Sequence, residues 1–134
     1  MGVSDIHINL VKELGIWVKQ NCLPSEHHSM LLDLPETTLG NNPPIIGGFI
    51  PDLYMKSNRV IIGEAKTAGD LERQHTKDQL SAYIKHLNQQ HESILIIAVP
   101  WYRVPLAKSI VRNLLKRLDA TRITAVFLEK LPGQ

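Results

Sequence analysis

The most restrictive feature of this sequence is the run at residues 93–99 (SILIIAV), which is apolar at nearly every position. A strand with apolar side chains on both faces must be covered on both faces, so this run predicts a central strand. Apolar residues at three- and four-residue spacing flank it, from about residue 71 or 75 to residue 90 and again over 105–119. That spacing predicts amphipathic helices. A buried strand between two such helices indicates a layered α/β or α+β domain.

The rest of the chain combines short β-rich runs with one further helix. Apolar residues recur on one face of residues 5–21, and Ser4 or Asp5 can cap that helix. Two β-rich runs at 45–55 and 59–66 are separated by three turn-forming residues, a pattern typical of an antiparallel hairpin. The remaining predicted segments are strands at 29–34 and 123–128 and a loop at 36–44. The predicted order is αβββαβαβ, a mixed central sheet flanked by helices.

Length and composition restrict the class of protein. A chain of 134 residues is the size of one ordinary domain, and we predict a single domain over 1–134. One cysteine, Cys22, excludes an internal disulfide and any metal site built from several cysteines. The sequence has no leader pattern and no apolar run of about 20 residues, so we expect a cytoplasmic protein without a membrane span. The net charge of +2 permits a polyanionic partner without arguing for one.

Three charged residues lie where the hairpin strands end. Asp52 follows a proline on the first strand, and Glu64, Ala65 and Lys66 end the second. Side chains two apart on a strand share a face and stand roughly 6–7 Å apart, so Glu64 and Lys66 point the same way while Ala65 points to the opposite layer. Antiparallel pairing can then bring Asp52 beside Glu64. Charges at the buried end of an apolar strand need a partner or a metal ion, and the alternative is an ordinary exposed ion pair.

This set of residues indicates metal-assisted chemistry. Two carboxylates that approach each other repel, and a hard divalent cation with oxygen ligands relieves the repulsion. Mg²⁺ suits the site better than zinc because it binds one or two carboxylates together with water and phosphate oxygens, and Mn²⁺ could substitute. The metal would polarise a scissile phosphate and lower the pKa of a bound water, which Lys66 could orient. The predicted reaction is phosphodiester hydrolysis.

With a Pro-Asp motif at Asp52 and a Glu-Ala-Lys motif ending at Lys66, the sequence resembles the PD-(D/E)xK nuclease superfamily. The core of that restriction-endonuclease-like fold is a helix, a three-strand meander, a helix and a further strand, which matches residues 5 to about 99. The resemblance implies metal-dependent cleavage of DNA. It assigns Asp52 and Glu64 as metal ligands, Lys66 as the catalytic lysine, and the backbone carbonyl of Ala65 as a further ligand.

The segment after the lysine resembles the RecB-type branch of that superfamily. Thr67 follows the lysine, and Gln79 and Tyr83 lie on the next helix. In that branch the glutamine lies near the catalytic lysine and the nucleic acid, which implies nucleic-acid contacts for these residues. His75 shares a ridge of the helix with Gln79, and this ridge could line a nucleic-acid groove or simply be solvated. The cysteines of iron–sulfur members and the basic-glycine signature of archaeal Holliday junction resolvases are absent from the sequence.

Other positions keep two interpretations. Glu13 flanks the apolar face of the first helix, where several family members use a carboxylate as an extra metal ligand, but an ordinary helix position is the simpler interpretation. A row of cations at four-residue spacing on helix 105–119 could contact phosphates, although such rows are usually solvated. Trp101 and Tyr102 follow the buried strand and could stack on bases or cap the core.

The first functional hypothesis is a metal-dependent DNA endonuclease that acts as a homodimer, because cutting both strands of a duplex needs two centres. The second is a structure-selective nuclease, such as a junction resolvase or a flap-processing repair enzyme. The third is a domain of the same fold that binds nucleic acid or a protein without cutting. A fourth is a small α/β interaction module in which the charges are structural, and magnesium binding would distinguish it from the nucleases.

Overall fold

A five-stranded mixed sheet with helices against both faces forms the centre of the computed structural model, which describes residues 4–35 and 41–130. The strands are β1 (Met30–Leu32), β2 (Leu53–Lys56), β3 (Val60–Ala65), β4 (Ser93–Pro100) and β5 (Ile123–Lys130). The helices are α1 (Asp5–Asn21), α2 (Pro24–His27), α3 (Gln74–Asn88) and α4 (Val104–Arg117), and a 3₁₀ turn (Trp101–Arg103) joins β4 to α4. Within the described part of the chain, no helix has both the length and the apolar character that crossing a membrane requires.

The order of strands in the sheet follows the chain, β1-β2-β3-β4-β5. The first three strands form an antiparallel meander, whereas β3, β4 and β5 run parallel. This arrangement confirms the predicted mixed sheet and the antiparallel hairpin, and it puts the apolar run of β4 between two neighbours. Because parallel strands point the same way, the ends of β3 and β4 lie at one edge of the sheet.

The sheet separates two layers of buried side chains. The apolar stripe of α1 packs on one face, and the stripes of α3 and α4 pack on the other. Along β4, alternate residues enter opposite layers: Ile96 faces α1, and Ile97 faces α3 and α4. Full burial of one such side chain is worth about 1.5–3 kcal/mol, so these two layers are what hold the helices on the sheet.

The predicted first helix is confirmed together with its cap. Ser4 Oγ accepts a hydrogen bond from the His7 backbone N–H at 3.2 Å, which satisfies one of the free N–H groups at the helix start. Leu10, Leu14 and Val18 are buried, as the three- and four-residue spacing predicted.

The prediction of a strand over 45–55 is wrong for its first eight residues. The chain there makes a tight turn closed by two hydrogen bonds between Ile46 and Phe49, of 2.6 and 3.0 Å. Gly47 and Gly48 lie at the turn with φ of 57° and 91°, which side-chain-bearing residues rarely adopt. At Gly47 a Cβ would lie 2.8 Å from the Ala82 Cβ on α3. The glycines therefore serve a turn that packs against a helix. Of the loop predicted at 36–44, residues 36–40 lie outside the described residues.

The short helix α2 was not predicted, because it depends on a distant contact. The Glu26 carboxylate accepts the Leu23 backbone N–H at 3.0 Å and the Ser57 hydroxyl at 2.6 Å. Ser57 belongs to the turn between β2 and β3, so one buried carboxylate ties α2 to the hairpin. Four residues carry too little periodicity for a prediction from sequence.

Candidate active site

The register of the β2–β3 hairpin brings two of the predicted site residues together. Leu53 pairs with Gly63, so Asp52, one residue before β2, lies opposite Glu64. The Asp52 backbone N–H donates to Glu64 Oε1 at 3.3 Å, and the Ala65 N–H donates to Asp52 Oδ2 at 2.8 Å. The two acidic residues are only 5% and 3% exposed. Two carboxyl groups are thus held side by side, away from bulk solvent.

A glycine on β3 lets α1 approach this place closely. A Cβ at Gly63 would lie 3.1 Å from the Leu53 Cβ and 3.2 Å from the methyl groups of Leu14. A side chain at this position would force Leu53 and Leu14 to shift, since core atoms are already in close contact. The missing side chain therefore sets how near the first turns of α1 come to the carboxyl pair.

Lys66 extends the site beyond the end of β3. Its backbone N–H donates to the Ala98 carbonyl at 3.0 Å, which continues the pairing with β4. Its ammonium Nζ lies 3.3 Å from Glu64 Oε2 and donates to Gln79 Oε1 at 2.5 Å. Lys66 and Gln79 are 8% and 9% exposed. Strand alternation therefore predicted correctly that Glu64 and Lys66 share a face, and α3 adds Gln79 to them.

His7 is a site residue that the sequence pattern did not lead us to predict. Its Nε2 lies 3.3 Å from Asp52 Oδ1. His7 occurs one turn before Leu10 and two turns before Leu14, on the stripe of α1 that faces the sheet. The sequence did contain a signal for His7. A polar residue that continues an apolar helical stripe is expected to face the protein interior, where it needs a polar partner.

The electrostatics of the carboxyl pair are unfavourable in the protein alone. Burial, together with the neighbouring Asp52 carboxyl, raises the pKa of Glu64 from its ordinary 4.5 to about 8, although Lys66 opposes the shift. The hydrogen bond to Asp52 raises the pKa of His7 above its ordinary 6.5. Without additional positive charge, Glu64 therefore keeps its proton near neutral pH. A bound cation would favour the ionised form of both carboxyl groups.

The structure corrects the assignment of Tyr83. Its side chain is completely buried, and its hydroxyl has no hydrogen-bond partner among the described residues. Burial, with the nearby charges of Glu64 and Asp52, raises the pKa of this hydroxyl. A fully buried ring leaves no surface for a nucleic acid, so Tyr83 is a core residue that borders the carboxyl pair.

Thr67 and His75 lie around the site with local partners. The Thr67 hydroxyl donates to Asp70 Oδ2 at 2.8 Å and so stabilises the loop that leads from β3 to α3. His75 is exposed at the start of α3, and its ring meets the ring of Phe49 edge-on, with centroids 5.4 Å apart. Their contacts with nucleic acid stay predictions.

Asp52 and Glu64 offer two carboxylates for a metal ion, whereas Glu13, the predicted extra ligand, pairs with another residue. Glu13 lies 3.8 Å from the Lys130 ammonium on β5, an ion pair that suits the structural interpretation. Over residues 4–35 and 41–130, no three His, Cys, Asp or Glu side chains form a group that could hold a metal. A cation at Asp52 and Glu64 would complete its shell with backbone or water oxygens, as Mg²⁺ does. The Ala65 carbonyl stays a predicted ligand.

Comparison with known proteins gave no match to a family model, a curated protein or a solved structure.

Proposed function

We propose that this chain is a metal-dependent endonuclease that hydrolyses phosphodiester bonds in DNA at Asp52, Glu64 and Lys66. The observation that supports this most is a pair of buried carboxyl groups beside a buried lysine ammonium, all at one edge of the sheet. Burying three ionisable groups costs free energy that apolar residues would not cost. Such an arrangement is typical of a site that binds a charged ligand.

We also propose that the fold is the restriction-endonuclease-like one. Support comes from the succession of α1, the β1–β2–β3 meander, α3 and β4, with the acidic pair at the second and third strands. In this architecture the charged side chains lie where strands end, and loops that follow such ends often carry binding residues.

The donor set fits a hard divalent cation, Mg²⁺ or Mn²⁺ in its place. A pKa of Glu64 near 8 means that the two carboxyl groups need more positive charge than Lys66 and His7 provide. Asp52 and Glu64 would hold the ion. When bound, it supplies a Lewis acid for the scissile phosphate and lowers the pKa of a coordinated water.

The protein groups have distinct tasks in this proposal. The Lys66 ammonium is placed to hold the attacking water or to offset negative charge that builds on the phosphate in the transition state. Gln79 accepts a hydrogen bond from that ammonium and fixes its direction. His7 contacts Asp52 Oδ1 and fixes the orientation of that carboxylate. Burial of Asp52, Glu64, Lys66 and Gln79 limits competing contacts with bulk water.

DNA is the proposed partner, and a homodimer is the proposed assembly for cutting both strands of a duplex. The edge strand β5 is eight residues long, and most of its side chains are half-buried or exposed. A strand of this kind can pair with a second copy through its free backbone groups. The lone Cys22 fits the reducing cytoplasm, which is our proposed location.

The test is a cleavage assay on supercoiled, linear and branched DNA with Mg²⁺ or Mn²⁺. The parent protein should cut, and Lys66→Ala and Asp52→Ala should each lose activity by a factor on the order of 10² or more, as for loss of a transition-state-stabilising group. Lys56→Ala is the matched control, because that lysine is exposed at the end of β2. Equal rates in the parent and both site variants would contradict the proposal. Preference for branched DNA would favour the structure-selective alternative.

A further inference from the structure

Two exposed aromatic residues stand at the start of the segment that follows β4. Trp101 and Tyr102 are 48% and 56% exposed, whereas the other Phe, Tyr and Trp side chains are buried or half-buried. Their rings meet edge-on with centroids 5.6 Å apart. The contact fixes the two rings relative to each other and leaves much of their surface free. They therefore do not cap the core, which was one of the two interpretations of this pair.

The pair lies at the same edge of the sheet as the candidate active site. β3 and β4 are parallel neighbours, and the Lys66 N–H donates to the Ala98 carbonyl. Ala65 pairs with Ala98, so Lys66 lies level with Val99, two residues before Trp101. An extended chain advances about 3.3 Å per residue, so the Trp101 backbone lies roughly 7 Å along the strand direction from the level of Lys66. A nucleic-acid strand with its scissile phosphate at Glu64 and Lys66 would extend its next bases over such a distance.

An ion pair links this segment to the loop that follows the site. Arg103, next to Tyr102, places its Nη2 3.3 Å from the Glu72 carboxylate. Glu72 belongs to the loop that runs from Lys66 to α3. The two segments that leave the site are therefore linked, and the aromatic pair lies beside the loop that follows Lys66.

The burial of the site indicates which form of nucleic acid fits. Asp52, Glu64, Lys66 and Gln79 are between 3% and 9% exposed, so a phosphate must enter a recess to reach them. A base inside a duplex already has neighbours on both faces, whereas an unpaired base has a free face that an aromatic ring can cover. Base–aromatic stacking of this kind contributes strongly and tolerates any sequence.

We infer that Trp101 and Tyr102 form a stacking platform for an unpaired base of the strand being cut. The inference rests on the proposed function and deepens it, because it names DNA with a single-stranded segment at the cleavage point as the preferred substrate. The aromatic pair contributes binding and specificity, and the hydrolytic step belongs to the buried groups.

The test measures DNA binding in EDTA, where cleavage cannot occur. Fluorescence anisotropy with a labelled oligo-dT and with a blunt duplex gives two affinities for each protein. Trp101→Ala and Tyr102→Ala should each weaken oligo-dT binding by about tenfold or more, and should change blunt-duplex binding much less. Trp101→Phe keeps a stacking ring and should restore most of the affinity. Ile16→Ala is the control, because Ile16 is an exposed apolar residue on α1.

Tryptophan emission gives a second readout. In Trp17→Phe the indole of Trp101 is the only one left, and oligo-dT should quench it. Equal losses for both DNAs, no loss in either alanine variant, or unquenched emission at saturating oligo-dT would overturn the platform. If the parent cuts DNA but Trp101→Ala binds and cuts like it, the platform fails and the nuclease stands. If oligo-dT quenches Trp101 and cleavage does not depend on Lys66, the platform stands and the nuclease fails.

Discussion

At the scale of single residues, the site depends on how a lysine ammonium is directed. Lys66 has a long, flexible side chain, yet its Nζ is held between Glu64 Oε2 and Gln79 Oε1. The Glu64 carboxyl group accepts from the ammonium and carries opposite charge once a cation is bound, and the Gln79 amide oxygen provides direction without charge. A lysine held in this way has lost its rotational freedom before substrate arrives, which lowers the entropic cost of reaching the transition state.

The loss of Gln79 should therefore slow catalysis while leaving DNA binding nearly intact. In Gln79→Ala we expect kcat to fall about tenfold with little change in KM, because the ammonium loses one of its two partners. Gln74→Ala, on the exposed side of the same helix, is the control. A parent-like kcat in Gln79→Ala would show that the amide does not position the lysine.

Sequence reasoning was effective at this scale where a local rule applied. Strand alternation put Glu64 and Lys66 on one face, and antiparallel pairing brought Asp52 to them. Sequence reasoning failed at His7 and Tyr83, because their surroundings depend on how helices pack onto the sheet. Tyr83 lies three residues after Leu80 and four before Leu87, a spacing that favours a core position over a nucleic-acid contact.

At the scale of elements, the close approach of α1 to the hairpin positions the site. The methyl groups of Leu14 occupy the space where a side chain at Gly63 would lie, which lets the helix pack close to the sheet. The same helix carries His7 to Asp52. If α1 moved away from the sheet, His7 would separate from Asp52, even though neither residue touches Gly63.

Gly63→Ala should destabilise the protein by about 1–3 kcal/mol, since the new methyl group would press on Leu53 and Leu14. Chemical denaturation would measure the free energy of unfolding. Gly69→Ala is the matched control, because a Cβ there meets no atom within 4 Å, and it should be neutral or slightly stabilising. Equal free energies of unfolding for the two variants would show that the helix does not depend on this close approach.

The long, periodic elements could be predicted from sequence, and the short ones could not. Helices α1, α3 and α4 were located by their apolar stripes to within a few residues. The segment at 45–52 looked β-rich, but its turn is set by packing of Gly47 against Ala82, which no local pattern reports. Helix α2 depends on the contact of Glu26 with Ser57 on the hairpin, so a local sequence pattern could not predict it either.

At the scale of the whole molecule, the carboxyl pair links stability to pH. In the folded protein Glu64 has a pKa of about 8, while the unfolded chain has the ordinary 4.5. The unfolded state therefore releases this proton at lower pH than the folded state, and stability falls as pH rises between these values. His7 acts in the same direction, because its raised pKa gives stability that is present below 6.5 and is lost as pH rises through the folded value.

The metal-free protein should therefore be less stable at pH 8.5 than at pH 5.5, by about 3 kcal/mol, because each pH unit between 5.5 and the folded pKa of Glu64 contributes roughly 1.4 kcal/mol. Urea unfolding at the two pH values measures the difference. Glu64→Gln cannot ionise and should show a much flatter dependence. Added Mg²⁺ should stabilise the parent more at the higher pH, where the carboxyl groups are free to bind it. Stability that rises with pH, in the parent but not in Glu64→Gln, would contradict this electrostatic account.

The layered architecture was predictable at this scale because the apolar run of β4 demands cover on both faces. The mixed five-stranded sheet followed from the hairpin and the strand–helix alternation. The position of β5 beside β4 could not be predicted, since a sequence pattern identifies strands but does not identify their neighbours.

The central claim is that Asp52 and Glu64 together bind one divalent cation. Calorimetric titration with Mn²⁺ at pH 8 tests it without any substrate, on the parent, Asp52→Asn, Glu64→Gln and the control Glu92→Gln. Glu92 is an exposed carboxylate just before β4, at the other end of the strands from the site. We predict one ion per chain in the parent and in the control, and at least tenfold weaker binding in each of the other two variants. Equal Mn²⁺ affinity in all four proteins, or no binding by the parent, would contradict the account.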